Sequence, residues 1–288
     1  MVKKQQKTLI KLLALLFALL FPAALFNGCA VKTKIVVAGS TSVQPYAELL
    51  AEEFERLHPR TKIDVSGGGT STGIDMAIKG TAQIGMSSRA LKPDSDKEKA
   101  LKKVEIALDG LAVIVHPKNP VSNLSVDEIR KIYTGETKSW EQIKDGWNQN
   151  IKSRNADIHI VTREDGSGTR SAFQDNVMGT SRITAGAIVF SSNGAIRNYV
   201  SGNPNSIGFI SLGLVKSKKG EKDVQALSLD NVEATAENVK NGSYRLSRPF
   251  LFVFTHEPTG LAKEFIDFVM SDDGQAILDA KGLIISNK

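Results

Sequence analysis

Cysteine is almost absent: the 288 residues hold one, Cys29. With a single cysteine, an intramolecular disulfide is excluded. Histidine is scarce as well. His58, His116, His159 and His256 are scattered without metal-ligand spacing, so no metal site is expected. Aromatic residues make up 6% of the chain, which leaves little for base-stacking platforms. A membrane-spanning run is also missing. The longest apolar stretch, Leu12 to Phe26, contains Pro22 and is short for a bilayer. An excess of positive charge is more apparent than real. Of the 37 basic residues, Lys3, Lys4, Lys7 and Lys11 precede Cys29, and none of the 31 acidic residues does. The remainder therefore carries 33 basic against 31 acidic side chains, and no nucleic-acid partner is expected.

The N-terminal segment has the layout of an export signal: a basic start, a short apolar core and Gly28 before Cys29. Residues 1–28 are read as a signal peptide removed from the mature chain, with an uncleaved transmembrane anchor as the lesser alternative. A lone cysteine directly after it resembles a bacterial lipoprotein site, which implies lipidation at Cys29 and an extracytoplasmic, membrane-tethered protein.

Beyond Cys29, strands and helices alternate. Strands are predicted at Lys34–Ala38, Ile63–Val65, Ile84–Met86 and Ile158–Val161, with helices such as Pro45–Leu57 between them. Ser125, with Glu128 three residues on, marks a capped helix over Val126–Tyr133. The charged run Pro93–Lys103 reads as a solvated helix. Two apolar segments, Ala107–Val115 and Arg248–Phe254, read as outward and return crossovers between two lobes. Trp140 and Trp147 read as packing residues. Asn193 either caps the helix that follows or holds a loop.

Three early strands end in loops rich in hydroxyls: Gly39-Ser40-Thr41-Ser42, Gly67 through Gly73, and Ser87-Ser88-Arg89. Ligands of open α/β sheets bind at such carboxyl ends. A fourth loop, Arg163-Glu164-Asp165-Gly166-Ser167-Gly168-Thr169, leads from a strand into a helix. Free backbone N–H groups and the helix dipole at such a start suit an oxyanion, and Arg163 adds a charged donor. Each loop taken singly is also explained by an ordinary turn and helix cap. Two enzyme signatures fail on inspection. Gly68 to Gly73 has P-loop spacing, but Ile74-Asp75 follows where Lys-Ser or Lys-Thr is required. Gly166-Ser167-Gly168 is not GxSxG.

In combination these segments are specific. AGSTSV (Ala38–Val43), SGGGTSTG (Ser66–Gly73), IGMSSRAL (Ile84–Leu91), LDGLAVIVHP (Leu108–Pro117), IYTGETKSW (Ile132–Trp140), REDGSGTR (Arg163–Arg170) and NPNSIGFISLGLV (Asn203–Val215) occur in that order. The chain resembles the extracytoplasmic phosphate-binding proteins of phosphate ABC transporters, over essentially everything after the signal. The resemblance implies an α/β chain of type II periplasmic-binding fold, with two lobes joined by two crossover strands around a central cleft. One lobe would comprise residues 29–110 and 250–288, the other residues 111–249. It further implies a monomeric receptor, without cofactor, metal or catalytic residues, that delivers phosphate to an ABC permease. The implied phosphate contacts are Thr41, Ser42, Thr70, Ser71, Ser88, Arg163, Asp165, Ser167, Gly168 and Thr169, with Asp165 paired to Arg163. Where some members carry an aspartate that accepts the phosphate proton, this chain has Ser88. A receptor for sulfate, molybdate or phosphonate is therefore the first alternative, and a secreted phosphatase the second.

Overall fold

The structure is a computed structural model and describes residues 33–143, 156–215 and 223–285. The signal segment, Cys29 and Trp147 lie outside them. In chain order the elements are β1 (Thr33–Gly39), α1 (Gln44–Leu57), β2 (Thr61–Ser66), α2 (Thr70–Ile78), β3 (Ile84–Ser87), β4 (Lys102–Val115) and β5 (Asn123–Leu124). Next come α3 (Val126–Thr134), β6 (His159–Arg163), α4 (Gly168–Phe173), β7 (Ile188–Phe190), α5 (Asn193–Gly202) and β8 (Ser206–Ser211). The chain closes with β9 (Gln225–Ala226), β10 (Ser228–Leu229), α6 (Ala236–Lys240), β11 (Ser247–Phe254), α7 (Gly260–Met270) and α8 (Asp272–Asp279).

The main sheet runs β2-β1-β3-β11-β4-β8-β6-β7, with β9 beside β4. β1 pairs with β3 in parallel, and β6 is parallel to both β7 and β8. The two central strands, β4 and β11, are antiparallel to each other. β4 changes partner part-way. Residues 102–110 pair with β11, and Leu111–Val115 pair with β8. This handover makes β4 and β11 the two crossovers expected from their apolar character. The charged run before β4 is the one element misread. Residues 93–100 form turns, and strand β4 already begins at Lys102, because pairing with Phe254 outweighs the local helical pattern.

Two buried apolar clusters dominate. The first joins Val37, Leu50, Phe54 and Ile84 to Phe250, Phe252 and Phe265. The second joins Leu111, Ile132, Tyr133, Trp140, Phe173 and Phe209. The Phe173 and Phe209 rings stack with centroids 4.0 Å apart. Trp140 is a packing residue: it is fully buried, and its indole N–H donates to the Asn205 carbonyl. Local signals act as read. Ser125 and Glu128 form a reciprocal capping box on α3, and Gly135 ends that helix in the left-handed region at φ 83°.

Candidate functional site

The four hydroxyl loops converge. In the first, Gly39 has φ 139° and packs against the Met86 backbone, a conformation closed to residues with a Cβ. Ser40 Oγ then accepts from the N–H groups of Ser42 and Val43, which folds the loop tightly. In the second, Gly69 has φ 93° and leads into α2 at Thr70. In the third, the Ser88 N–H donates to Thr70 Oγ1 at 3.1 Å, and the two hydroxyl oxygens lie 3.5 Å apart. In the fourth, Ser167 caps α4, its oxygen accepting from the Arg170 N–H. The proton of Ser167 remains free to be donated elsewhere.

Gly168 shows how close the loops lie. A Cβ on it would sit 2.6 Å from Ser88 Oγ and closer still to Thr70 Oγ1. Ser42 Oγ and Thr169 Oγ1 are 2.9 Å apart, and the Ser71 N–H donates to the Gly166 carbonyl at 3.1 Å. Ser42, Thr70, Ser88, Arg163, Ser167 and Thr169 are each at most 1% exposed, whereas Thr41 and Ser71 are half-buried. A burial this complete of so many donors is costly unless they share a polar partner.

Arg163 is held differently from the expectation. Its Nε and Nη2 each donate to the Glu164 carboxylate at 2.8 Å, so Glu164 and not Asp165 is its partner. Asp165 has a 96% exposed side chain and pairs with Arg170 at 3.3 Å. It faces away because the turn at Gly166 (φ 88°) follows directly. Arg163 Nη1 reaches Thr169 Oγ1 at 3.5 Å. Arg89, next to Ser88, is also turned away from the loops. It forms a two-pronged bond to Glu98, both arms 2.8 Å. Burial alone would raise the Glu98 carboxyl, but the Arg89 bonds and the Lys92 N–H hold it below its ordinary range.

Four further buried polar residues complete the cluster: Asn193, Asp109, Ser211 and Arg248. Asn193, the first residue of α5, donates from Nδ2 to Ser42 Oγ (2.9 Å) and Thr41 Oγ1 (3.2 Å). Ser192 caps the helix, so Asn193 holds the loop. Arg248 on β11 faces its register partner Asp109 on β4 and forms a buried ion pair at 3.1 Å. Burial pushes the Asp109 carboxyl up to about 6, against the pull of Arg248 and of the Ser211 and Gly213 donors. The available sequence signal was a charged residue in each apolar crossover. Among the described residues no group of three or more His, Cys, Asp or Glu could hold a metal. Nor is any helix there long and apolar enough to cross a membrane.

Residues 28–273 match the family model of the PBP superfamily domain. The phosphate-binding protein PstS of Bacillus subtilis is 32% identical over 257 residues, covering 87% of this chain and 80% of that protein. A solved structure from Clostridium perfringens, described as a phosphate ABC transporter substrate-binding protein with bound phosphate, is 41% identical. It superposes with a TM-score of 0.80 over 88% of this chain and 100% of its own. An ABC-type phosphate transport receptor from Vibrio cholerae is 34% identical, with a TM-score of 0.68 over 88% of this chain and 100% of its own. The chain belongs to the PBP superfamily, and its two α/β lobes joined by the β4 and β11 crossovers have the type II periplasmic-binding architecture.

Proposed function

We propose that this protein is an extracytoplasmic receptor that binds inorganic phosphate and delivers it to an ABC permease, without bond chemistry. The observation that carries the reading is the convergence of buried hydroxyls and one buried arginine on the N-terminus of α4. Such a set offers a small dehydrated oxyanion both charge and directed donors. The phosphate-binding relatives from Bacillus subtilis and Clostridium perfringens support phosphate as that anion. Thr41, Thr70, Ser71, Ser88, Ser167 and Thr169 would donate from side chain or backbone, Gly168 from its N–H, and Arg163 as the charged donor, while Ser42 would act on the anion through Thr169. Asp165 is left out of this set because its carboxylate is exposed.

The lobes would comprise residues 29–110 with 250–288, and residues 111–249. The separation of the two large apolar clusters supports that division. Binding would draw the lobes together, since only the closed form collects donors from both. Lipidation at Cys29 would keep the monomeric receptor at the membrane surface. It would supply more than one chain, as stable anchoring requires.

A receptor for another oxyanion is the second reading, and one observation favours it. The carboxylates nearest the loops are already engaged, Glu164 by Arg163 and Asp109 by Arg248. The proton of a hydrogen phosphate must then be accepted by a hydroxyl or carbonyl oxygen, such as Ser88 Oγ. Sulfate has no proton to place, so its exclusion is weaker than with an acid at this position. An enzyme lacks comparable support. His159 begins β6 at the end opposite Arg163, and Ser167 Oγ is engaged as a helix cap. Calorimetry with phosphate, sulfate and molybdate across pH decides. Phosphate is expected to bind tightest, and tight sulfate binding without phosphate binding overturns the reading.

A further inference from the structure

We propose that Arg248 is a positioning residue for the bound anion, acting through Ser42 to fix the direction of the hydroxyl chain that ends at Thr169. The proposal rests on the anion site described above and adds a second arginine to its machinery.

The direction follows from counting donors. Ser42 Oγ accepts from Asn193 Nδ2 at 2.9 Å and from Arg248 Nη2 at 3.0 Å. These two donors use both lone pairs of the hydroxyl oxygen. The Ser42 proton is therefore the one in the 2.9 Å contact with Thr169 Oγ1, and Thr169 is the acceptor there. Thr169 Oγ1 also lies 3.5 Å from Arg163 Nη1, another donor. The proton of Thr169 is thus left to donate, and an oxyanion is what accepts it. The orientation of the Asn193 amide is not arbitrary either. Its Oδ1 takes the Ser211 N–H at 3.3 Å, which leaves Nδ2 for Ser42.

The same residues close a ring. Arg248 donates from Nε and Nη2 to Asp109 Oδ2, at 3.2 and 3.1 Å. Ser211 Oγ donates to Asp109 Oδ1 at 2.8 Å, and the Ser211 N–H leads to Asn193 and so back to Ser42. All five members are at most 3% exposed, so water does not compete for these bonds. Asp109 and Arg248 sit on the two crossover strands, while Ser42 lies in the first hydroxyl loop and Asn193 opens α5 opposite it. The ring thus ties the polarity of the site to the hinge. A ring of purely structural use would be indifferent to which way the Ser42 proton points.

A double-mutant cycle on phosphate affinity tests this. Wild type, Arg248→Lys, Ser42→Ala and the double variant are titrated by calorimetry, with thermal unfolding measured in parallel. Lysine keeps the charge but loses the fork that serves Asp109 and Ser42 together. Arg248→Lys is expected to weaken phosphate binding about tenfold, an effect that disappears in the Ser42→Ala background. Its loss of thermal stability persists in both backgrounds. Unchanged phosphate affinity in Arg248→Lys, or an undiminished effect in the Ser42→Ala background, overturns the proposal. If Arg248→Lys does not fold, the paired replacement Asp109→Leu with Arg248→Met takes its place. Exchanging a buried ion pair for apolar residues of similar volume generally preserves folding. That variant is expected to unfold at or above the wild-type temperature and to bind phosphate about tenfold more weakly. Wild-type affinity in it also overturns the proposal. Wild-type protein that binds sulfate or molybdate but not phosphate overturns the phosphate reading instead. The cycle is then run with the anion that does bind.

Discussion

Arg163 and Asp165 are two residues apart and have opposite fates. The guanidinium is 1% exposed and held in plane by Glu164, with Nη1 left toward Thr169. The Asp165 carboxylate is in solvent. Arg163→Ala is therefore expected to weaken phosphate binding by more than tenfold, since a hydrogen bond to a charged group is worth about 1.5–3 kcal/mol. Asp165→Asn is expected to change it by less than about twofold, the usual reach of a screened surface charge. Calorimetry on both variants checks the pair, and a large loss in Asp165→Asn would restore that residue to the site. The resemblance implied Asp165 as the partner of Arg163, and the structure gives that place to Glu164 instead, because the outcome depends on where β6 ends and the turn at Gly166 begins.

The elements that position the site were legible wherever their signals are local. The Ser125–Glu128 box, Pro45 in the first turn of α1 and the glycine loops all act within a few residues. Gly168 shows what lies beyond local reading. On helix propensity alone this position would favour alanine. Yet an alanine Cβ would meet Thr70 and Ser88, which are far away in sequence. Gly168→Ala is thus expected to lower the melting temperature, because Thr70 and Ser88 must shift to admit the methyl group. It should weaken phosphate binding at least about tenfold, as overpacking costs about 1–3 kcal/mol. Paired calorimetry and thermal unfolding check both halves. Strand β4 carries the same lesson: its charged start reads as helix until β11, some 150 residues later, pairs with it.

At the scale of the whole molecule, contacts between distant segments tie the loops to the crossover strands. Ser42–Thr169, Asn193–Thr41 and Ser71–Gly166 join parts of the chain more than 90 residues apart, around the place where an anion would sit. An anion bound among them stabilises the folded protein by mass action. Phosphate at a hundred times its Kd is expected to add about 2.7 kcal/mol. For a protein of this size that corresponds to a rise of a few degrees in Tm. Thermal unfolding with phosphate, with sulfate and without either measures it. No shift with phosphate would remove the anion from the folded state.

The sequence alone determined the alternation of strands and helices, the hydroxyl loops at strand ends and the two apolar crossovers. Each of these is written in short-range periodicity, capping and turn chemistry. The tertiary structure decided which acid holds Arg163, which way Arg89 turns, and that Asn193 and the Arg248–Asp109 pair stand behind Ser42. Those choices depend on contacts between distant segments in a buried polar cluster. There a donor finds its partner by geometry, and spacing along the chain carries no information about it.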